Sequence, residues 1–514
     1  MRVLHHNRFT SILRSLQALT LVGFAWLAAA ENARSQVSGY AETPGPATGP
    51  AAKGDYTTPA WWSLVRQAVP FTWDSKSQLG PVTVPIPGSY GWTVLKAENV
   101  EIRTVPSLSG DPTFEAIVLP PASGHPTRTE RFTIQVPLHA EKIPGSGALV
   151  IGFHSYSVSE KSVFNNTDLP AICAQKGWTL LAPYGLLDTH FGNVASQKSL
   201  DAVIALVDEF LNFDLNRIYT VGFSMGGGAA MSYAMRRRSE DTYRVAGVVN
   251  HTGTMDLLNE YSVGSASFKA MLSNPLHFGN PPFTKNFAFP YERVSPGIVV
   301  GGALDLQRTP ARNLNNLAIY TYVNPGDPQT GLVQDNIKVA GQMLADGVNI
   351  NYVSSFNGTK HHWDTMDMYS AMDWISRFRL PKDPKSALVY ADRKGEYHYV
   401  DVRDSQRLRT ATFGLGAQVS GNTFTLSDTR YLDKIALDLD RAGLSTSIRL
   451  NLVWSTPDAG SDIVVLKGYP VPPTSVEFDG ILSATWTHDP VTEELSITTP
   501  TGPTGSDIVI LVTP

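Results

Sequence analysis

The chain predicts an α/β fold: a mostly parallel sheet flanked by helices, set between a β-rich N-terminal region and an all-β, sandwich-like C-terminal domain. Three observations predict it. Between residues 146 and 380, short apolar runs alternate with amphipathic helical patterns. Within that region, Gly222-Phe223-Ser224-Met225-Gly226 sits where a β-rich run passes into helix-favouring residues. Beyond Pro381 the apolar residues fall into a period of two.

In chain order, Arg2, Arg8 and Arg14 precede an apolar run from Leu16 to Ala30, and small residues follow. That length suits the core of an export signal better than a membrane span. We therefore expect a signal peptide over residues 1–35, cleaved after Ala30 or Ser35, and a secreted or periplasmic protein without stable membrane insertion. Residues 36–57, rich in Ala, Gly, Pro and Thr, read as a linker. From 58 to 145, segments such as "VEIRTV" and "RFTIQVPL" read as short antiparallel strands leading into a larger sheet.

In the 146–380 region we expect strands at Ala148–Phe153, Trp178–Ala182, Arg217–Val221, Val245–Val249, Ile298–Gly301 and Val348–Ser354. Leu200, Val203, Ile204, Val207 and Leu211 share one helical face. A later helix buries Ile337, Ala340 and Leu344, with Gly347 as its C-cap. A final helix places Met368, Met372, Ile375 and Phe378 on one side. Residues 252–294 form a long insert, a possible lid, in which Phe278, Phe283, Phe287 and Phe289 either build an apolar site or pack on the core. In residues 381–514, "GSDIVVL" recurs as "GSDIVIL", two similar strands of one sandwich, read as structural or accessory with carbohydrate binding as the lesser option.

At 514 residues the chain is long enough for two or three domains. A net charge of −5 gives no basis for a nucleic-acid partner. The single cysteine, Cys173, precludes an intramolecular disulfide and reads as a core residue. His361-His362 is the one pair that raises a metal, but adjacent side chains diverge and no ligand cluster accompanies them. We expect neither metal nor cofactor. Oligomeric state is not legible.

A serine hydroxyl needs a general base to act as a nucleophile. When a serine stands on a strand-to-helix elbow, its acid and histidine follow in the chain order Ser…Asp/Glu…His. Asp305 follows the expected strand "GIVVGG", at the kind of strand end where open α/β sheets bind ligands. By itself it also reads as a loop-capping carboxylate. His361 and His362 follow the last expected strand, and either is placed to be the base. Backbone amides of Met225 and of Ser155 or Tyr156, after "ALVIGF", are the expected oxyanion donors.

These segments resemble the α/β-hydrolase group that contains polyhydroxybutyrate depolymerases, feruloyl esterases and acetyl xylan esterases. "NRIYTVGFSMGG" is similar to its elbow, "GGALDLQRTP" to its acid-bearing segment and "KHHWD" to its Gly-His-x-Trp segment. "LVIGFHSYS" corresponds to its oxyanion strand, with Ser155 where the group has glycine. The resemblance implies a catalytic set of Ser224, Asp305 and His361, with Trp363 at the substrate; Lys360 in place of a glycine keeps His362 as the alternative base. It implies hydrolysis of carboxylic esters, small or polymeric, with carbohydrate-linked, aromatic or polyester substrates. The alternative is a serine peptidase of prolyl-oligopeptidase-like type, since that chemistry uses the same fold and triad.

Overall fold

The N-terminal β-rich region supplies β1 (Ser77–Leu79), β2 (Asn99–Val105), β3 (Thr113–Leu119) and β4 (Glu130–Gln135), paired antiparallel in succession. The computed structural model describes these strands, residues 82–83 and 96–97, and residues 147–514 except 211–212, 275–276, 284–286, 406–412, 457–461, 484 and 501–505. The expected signal peptide, the linker and most of 58–145 lie outside the described residues.

The antiparallel strands continue into the central sheet, because β4 pairs with β6 (Thr179–Pro183) in antiparallel register. The parallel part consists of β5 (Leu149–Phe153), β6, β7 (Ile218–Phe223), β8 (Gly247–His251), β9 (Ala318–Val323) and β10 (Asn349–Ser354). Among the described residues the order is β1-β2-β3-β4-β6-β5-β7-β8-β9-β10. Strands β5 to β9 are buried at every position, so their sequences read as continuous apolar runs without alternation. The chain runs from β5 outward to β6 and returns to place β7 on the other side of β5. That reversal opens a crevice at the C-terminal ends of β5 and β7, where open α/β sheets carry their sites.

The sheet separates two hydrophobic layers. Leu149, Ile151 and Phe153 of β5 face a cluster with α2 (Val194–Phe210), α3 (Met225–Met235) and α6 (Thr330–Ala345). Ala148 and Val150 face the opposite cluster, with α1 (Leu169–Lys176) and α7 (Met368–Ile375). Successive side chains of a strand point to opposite faces, which produces this partition. Leu200, Val203, Ile204 and Val207 bury on α2 as their spacing predicts, and Cys173 is buried in the second cluster. On α6 the buried residues are Leu332, Val333, Asp335, Asn336, Val339, Ala340 and Met343, so Ile337 and Leu344 flank them.

One strand differs from expectation. "GIVVGG" is not part of the sheet: Val299–Val300 folds back on Ala303–Leu304 as a small hairpin. Gly301 and Gly302, both at positive φ (60° and 86°), form its two-residue turn. That turn needs φ > 0 at both central positions, which Gly-Gly supplies without strain. The sheet position expected for this segment belongs to β9, "AIYTYV".

The insert after β8 folds into α4 (Leu257–Val263), α5 (Ala266–Leu272) and a turn of helix at Phe289–Glu292. Among the described residues of 386–513, strands form a seven-stranded and a six-stranded sheet around one shared core that includes Trp454, Phe413 and Phe424. The two "GSDIV" strands lie in different sheets of this sandwich, Ile463–Lys467 in one and Ser506–Thr513 in the other. Buried ion pairs join it to the α/β part. Asp392 lies 2.5 Å from Arg293 and 3.4 Å from Arg236, and Asp241 lies 3.3 Å from Arg393. Burial pushes the Asp392 pKa up, but Arg236, Arg293 and Arg393 outweigh burial and hold it below the usual range.

Candidate active site

The sequence around Ser224 has little steric freedom. Ser224 joins β7 to α3 at φ 57°, ψ −123°, a backbone conformation that L-residues rarely adopt. The flanking glycines permit this sharp turn. A Cβ on Gly222 would stand 2.0 Å from the Gly226 carbonyl oxygen, and one on Gly226 would stand 2.3 Å from that of Phe153. The turn lifts the Ser224 hydroxyl out of the sheet while the first amides of α3, led by Met225, lack intrahelical partners.

Ser224 Oγ lies 2.8 Å from His361 Nε2, and His361 Nδ1 lies 2.7 Å from Asp327 Oδ2. An ionised Asp327 accepts from Nδ1–H, which leaves the Nε2 lone pair facing the serine hydroxyl. Asp327 is 3% exposed and also accepts from the Gln329 amide at 2.8 Å. It lies on the loop after β9, and His361 on the loop after β10. Asn324, fully buried, ties the two loops together. Its side-chain amide donates to the Gly358 carbonyl at 3.1 Å, and its Oδ1 accepts from the backbone N–H groups of Asn357 and Gly326.

Asp305 is not in this constellation. It caps the short 3₁₀ turn Leu306–Arg308, accepting from the Gln307 amide at 3.1 Å and lying 3.6 Å from Arg308. The expectation for Asp305 fails because its strand is a hairpin, and the sheet position beside β8 is filled by β9. Asp327, from "NPGDP", takes the place expected of Asp305. His362 turns outward, half exposed, with Nδ1 3.0 Å from Asp364; His361 alone of the two bonds Ser224.

The serine opens into a cavity of about 380 Å³. Ser155, Tyr156 and Met225, the expected oxyanion segments, line it together with His361, His362 and Trp363. His154, fully buried, anchors the loop that follows β5, with ring nitrogens 2.8 Å from the Ser155 carbonyl oxygen and 3.0 Å from that of Tyr184. Trp363 is buried and packs on Phe223 at a ring separation of 5.4 Å, and Phe223 lies 4.4 Å from the His361 ring. Trp363 is therefore a wall of the cavity.

The insert contributes Thr254, Glu260 and Phe268 to the lining. The four phenylalanines expected there do not line it: Phe278 stacks on Tyr291, Phe289 is buried, and Phe283 and Phe287 are exposed. Burial, reinforced by Asp335 and Asp256, pushes the Glu260 carboxyl up to about 7. Behind the site, burial lowers His251 to about 3, with the nearby His361 and His362 acting in the same direction. Among the described residues, no group of three or more His, Cys, Asp or Glu side chains is arranged to hold a metal ion, and no helix is long and apolar enough to cross a membrane.

Asp327, Asn324, His154 and Glu260 were not singled out by sequence. For Asp327 a signal existed: a carboxylate just past the β-branched and aromatic run "AIYTYV", itself a strand pattern.

A mostly parallel sheet with a strand-order reversal and a serine elbow at the C-terminal end of β7 makes this an α/β-hydrolase fold. No family model matches the chain, and no curated protein matches its sequence. Solved structures do. A fluorophosphonate-binding serine hydrolase of Staphylococcus aureus, solved with substrate bound, is 14% identical over 51% of this chain and 97% of its own, with a TM-score of 0.38. An S-formylglutathione hydrolase from Agrobacterium tumefaciens is 14% identical over 54% of this chain and 98% of its own, at 0.37. An acetyl xylan esterase from Paenibacillus sp. R4 is 14% identical over 54% and 88%, also at 0.37.

Proposed function

We propose that this protein is a serine hydrolase that cleaves carboxylic esters through an acyl-enzyme, with Ser224 as nucleophile, His361 as base and Asp327 as the acid that orients it. The observation that carries this reading is the unbroken chain Ser224–His361–Asp327, at 2.8 and 2.7 Å, on a strained elbow beside a cavity. Ser224 Oγ attacks the ester carbonyl carbon while His361 Nε2 takes its proton. Asp327 stabilises the resulting imidazolium. The amide of Met225 and an amide of the Ser155–Tyr156 segment hold the oxyanion. The tetrahedral intermediate collapses, and His361 returns the proton to the departing alcohol. Water then enters, gives a proton to His361 and attacks the acyl carbon. Collapse releases the acid and restores Ser224 Oγ–H.

The cavity walls of Phe191, Phe223, Phe268, Val158 and Leu332 suit an acyl or alcohol group of modest size, including one at the end of a polymer or sugar chain. The basic residues and apolar run of the N-terminus support export to the periplasm or the outside of the cell. The test is labelling by a fluorophosphonate probe combined with a panel of acetyl, feruloyl and hydroxyalkanoate esters and chromogenic peptides. Labelling at Ser224 with ester turnover is expected. Peptide cleavage without ester turnover, or no labelling, would overturn the reading.

A further inference from the structure

Besides Ser224, His361 and the walls around them, the cavity holds an acid without a partner. Glu260, on α4, is half-buried and lines the same space as Ser224. The acids around it are satisfied. Asp256 accepts from the backbone amides of Leu258, Asn259 and Val299. Asp335, on α6, accepts from the Asn259 side chain at 3.1 Å and lies 3.2 Å from Lys338 Nζ. Among the described residues, no group donates a hydrogen bond to the Glu260 carboxylate. Its Oε1 stands over Gly331 in the first turn of α6, 3.5 Å from where a Cβ there would be. The carboxylate thus lies against the first turn of α6 and lines the cavity.

A half-buried carboxylate with two further acids nearby is stabilised when a donor meets it, and a cation meets it best. No Lys or Arg lines the cavity with it. Lys338 is already engaged by Asp335. A ligand can therefore bring the cation that the cavity lining does not supply. We propose that Glu260 is a substrate-recognition residue that binds a primary ammonium group, so that the cavity selects esters carrying an amine over neutral esters of the same size. This rests on the ester-hydrolase reading above. A neutral hydroxyl would also satisfy the carboxyl but would gain no charge–charge attraction, and it therefore gives the weaker preference.

The experiment compares p-nitrophenyl esters of a short series of acyl chains ending in a primary ammonium, a hydroxyl or a methyl group. A matching series carries the ammonium on the alcohol side. At about pH 8 Glu260 is ionised and alkylammonium groups are charged. The full-length protein is expected to favour at least one ammonium ester over its methyl analogue by about tenfold to a hundredfold in kcat/KM, carried by KM. In Glu260→Gln the ratio of ammonium-ester to methyl-ester kcat/KM should fall toward one. If the wild type turns over methyl esters and favours no ammonium ester, the proposal is wrong, and that comparison needs no variant. A hydroxyl ester favoured over every ammonium ester contradicts it as well, as does a preference that survives in Glu260→Gln. Absence of all ester turnover and of labelling would instead overturn the hydrolase reading itself.

Discussion

Asp327 meets His361 across 2.7 Å, although each stands on the loop of a different strand and 34 residues separate them. Strands β9 and β10 are parallel neighbours, so their C-terminal loops emerge side by side above the crevice. The acid reaches the far nitrogen of the ring while the near nitrogen faces Ser224. The adjacent His362 points away, toward Asp364.

That difference between neighbouring histidines predicts opposite mutant phenotypes. His361→Ala should lower kcat by about three orders of magnitude or more, as loss of a base from such a unit does. His362→Ala, at the half-exposed rim, should retain most of the turnover. Steady-state kinetics on one neutral ester checks both, and the reverse ranking would reassign the base.

Ser224 and His361 were legible in the sequence because each rests on a local pattern. Gly222 and Gly226 flank the serine for a steric reason that appears directly as Gly-x-Ser-x-Gly, and the histidines follow the last strand of a recognisable α/β alternation. The acid was harder to read. "GIVVGG" has the apolar character of a buried strand, but Gly301-Gly302 is also a hairpin turn, and the sheet position beside β8 is held by β9. Asp327 sits in "NPGDP", which reads as turn chemistry alone. Its place beside His361 follows from tertiary pairing of β9 with β8 and β10, which no local window contains. Glu260 was equally hidden, because a lone glutamate on a short amphipathic helix reads as a solvated face. The sandwich was visible from its period of two, whereas its buried ion pairs to Arg236 and Arg293 were not.

Asn324 joins the loop that carries Asp327 to the loop that carries His361. Asn324→Ala removes the bonds to Gly358, Asn357 and Gly326 without touching the reacting atoms. We expect kcat to fall by about tenfold to a hundredfold with KM nearly unchanged, since small displacements of a base are costly. A change confined to thermal stability, with kcat intact, would show that the bond serves folding alone.

Gly222→Ala should be among the most destabilising single substitutions in the chain. The added Cβ would overlap the Gly226 carbonyl, 2.0 Å away, in a turn whose backbone is already strained. A loss of about 3 kcal/mol or more is expected. Thermal melting reads it, and an unchanged Tm would contradict the tightness of the elbow.

His251 predicts a pH dependence of stability. Buried on β8, with Nε2 2.9 Å from the Thr365 hydroxyl, it resists protonation down to about 3. In the unfolded chain it takes up a proton near its ordinary value of about 6.5. The stability it contributes is therefore full above about 6.5 and is lost progressively as the pH falls toward 3, by up to about 1.4 kcal/mol per pH unit. In His251→Gln the fall in Tm over the acid range should be shallower than in the wild type. Parallel melting curves in the two proteins would contradict this.

The identity of the acid is tested most directly by kcat/KM for one neutral ester in the wild type, Asp327→Asn and Asp305→Asn, each checked for folding by its Tm. With Asp327 behind His361, Asp327→Asn falls by about three to four orders of magnitude. Asp305→Asn, which loses only a turn cap, stays within a few-fold of the wild type. Full activity in Asp327→Asn, or loss of activity in a well-folded Asp305→Asn, would contradict the Ser224–His361–Asp327 triad.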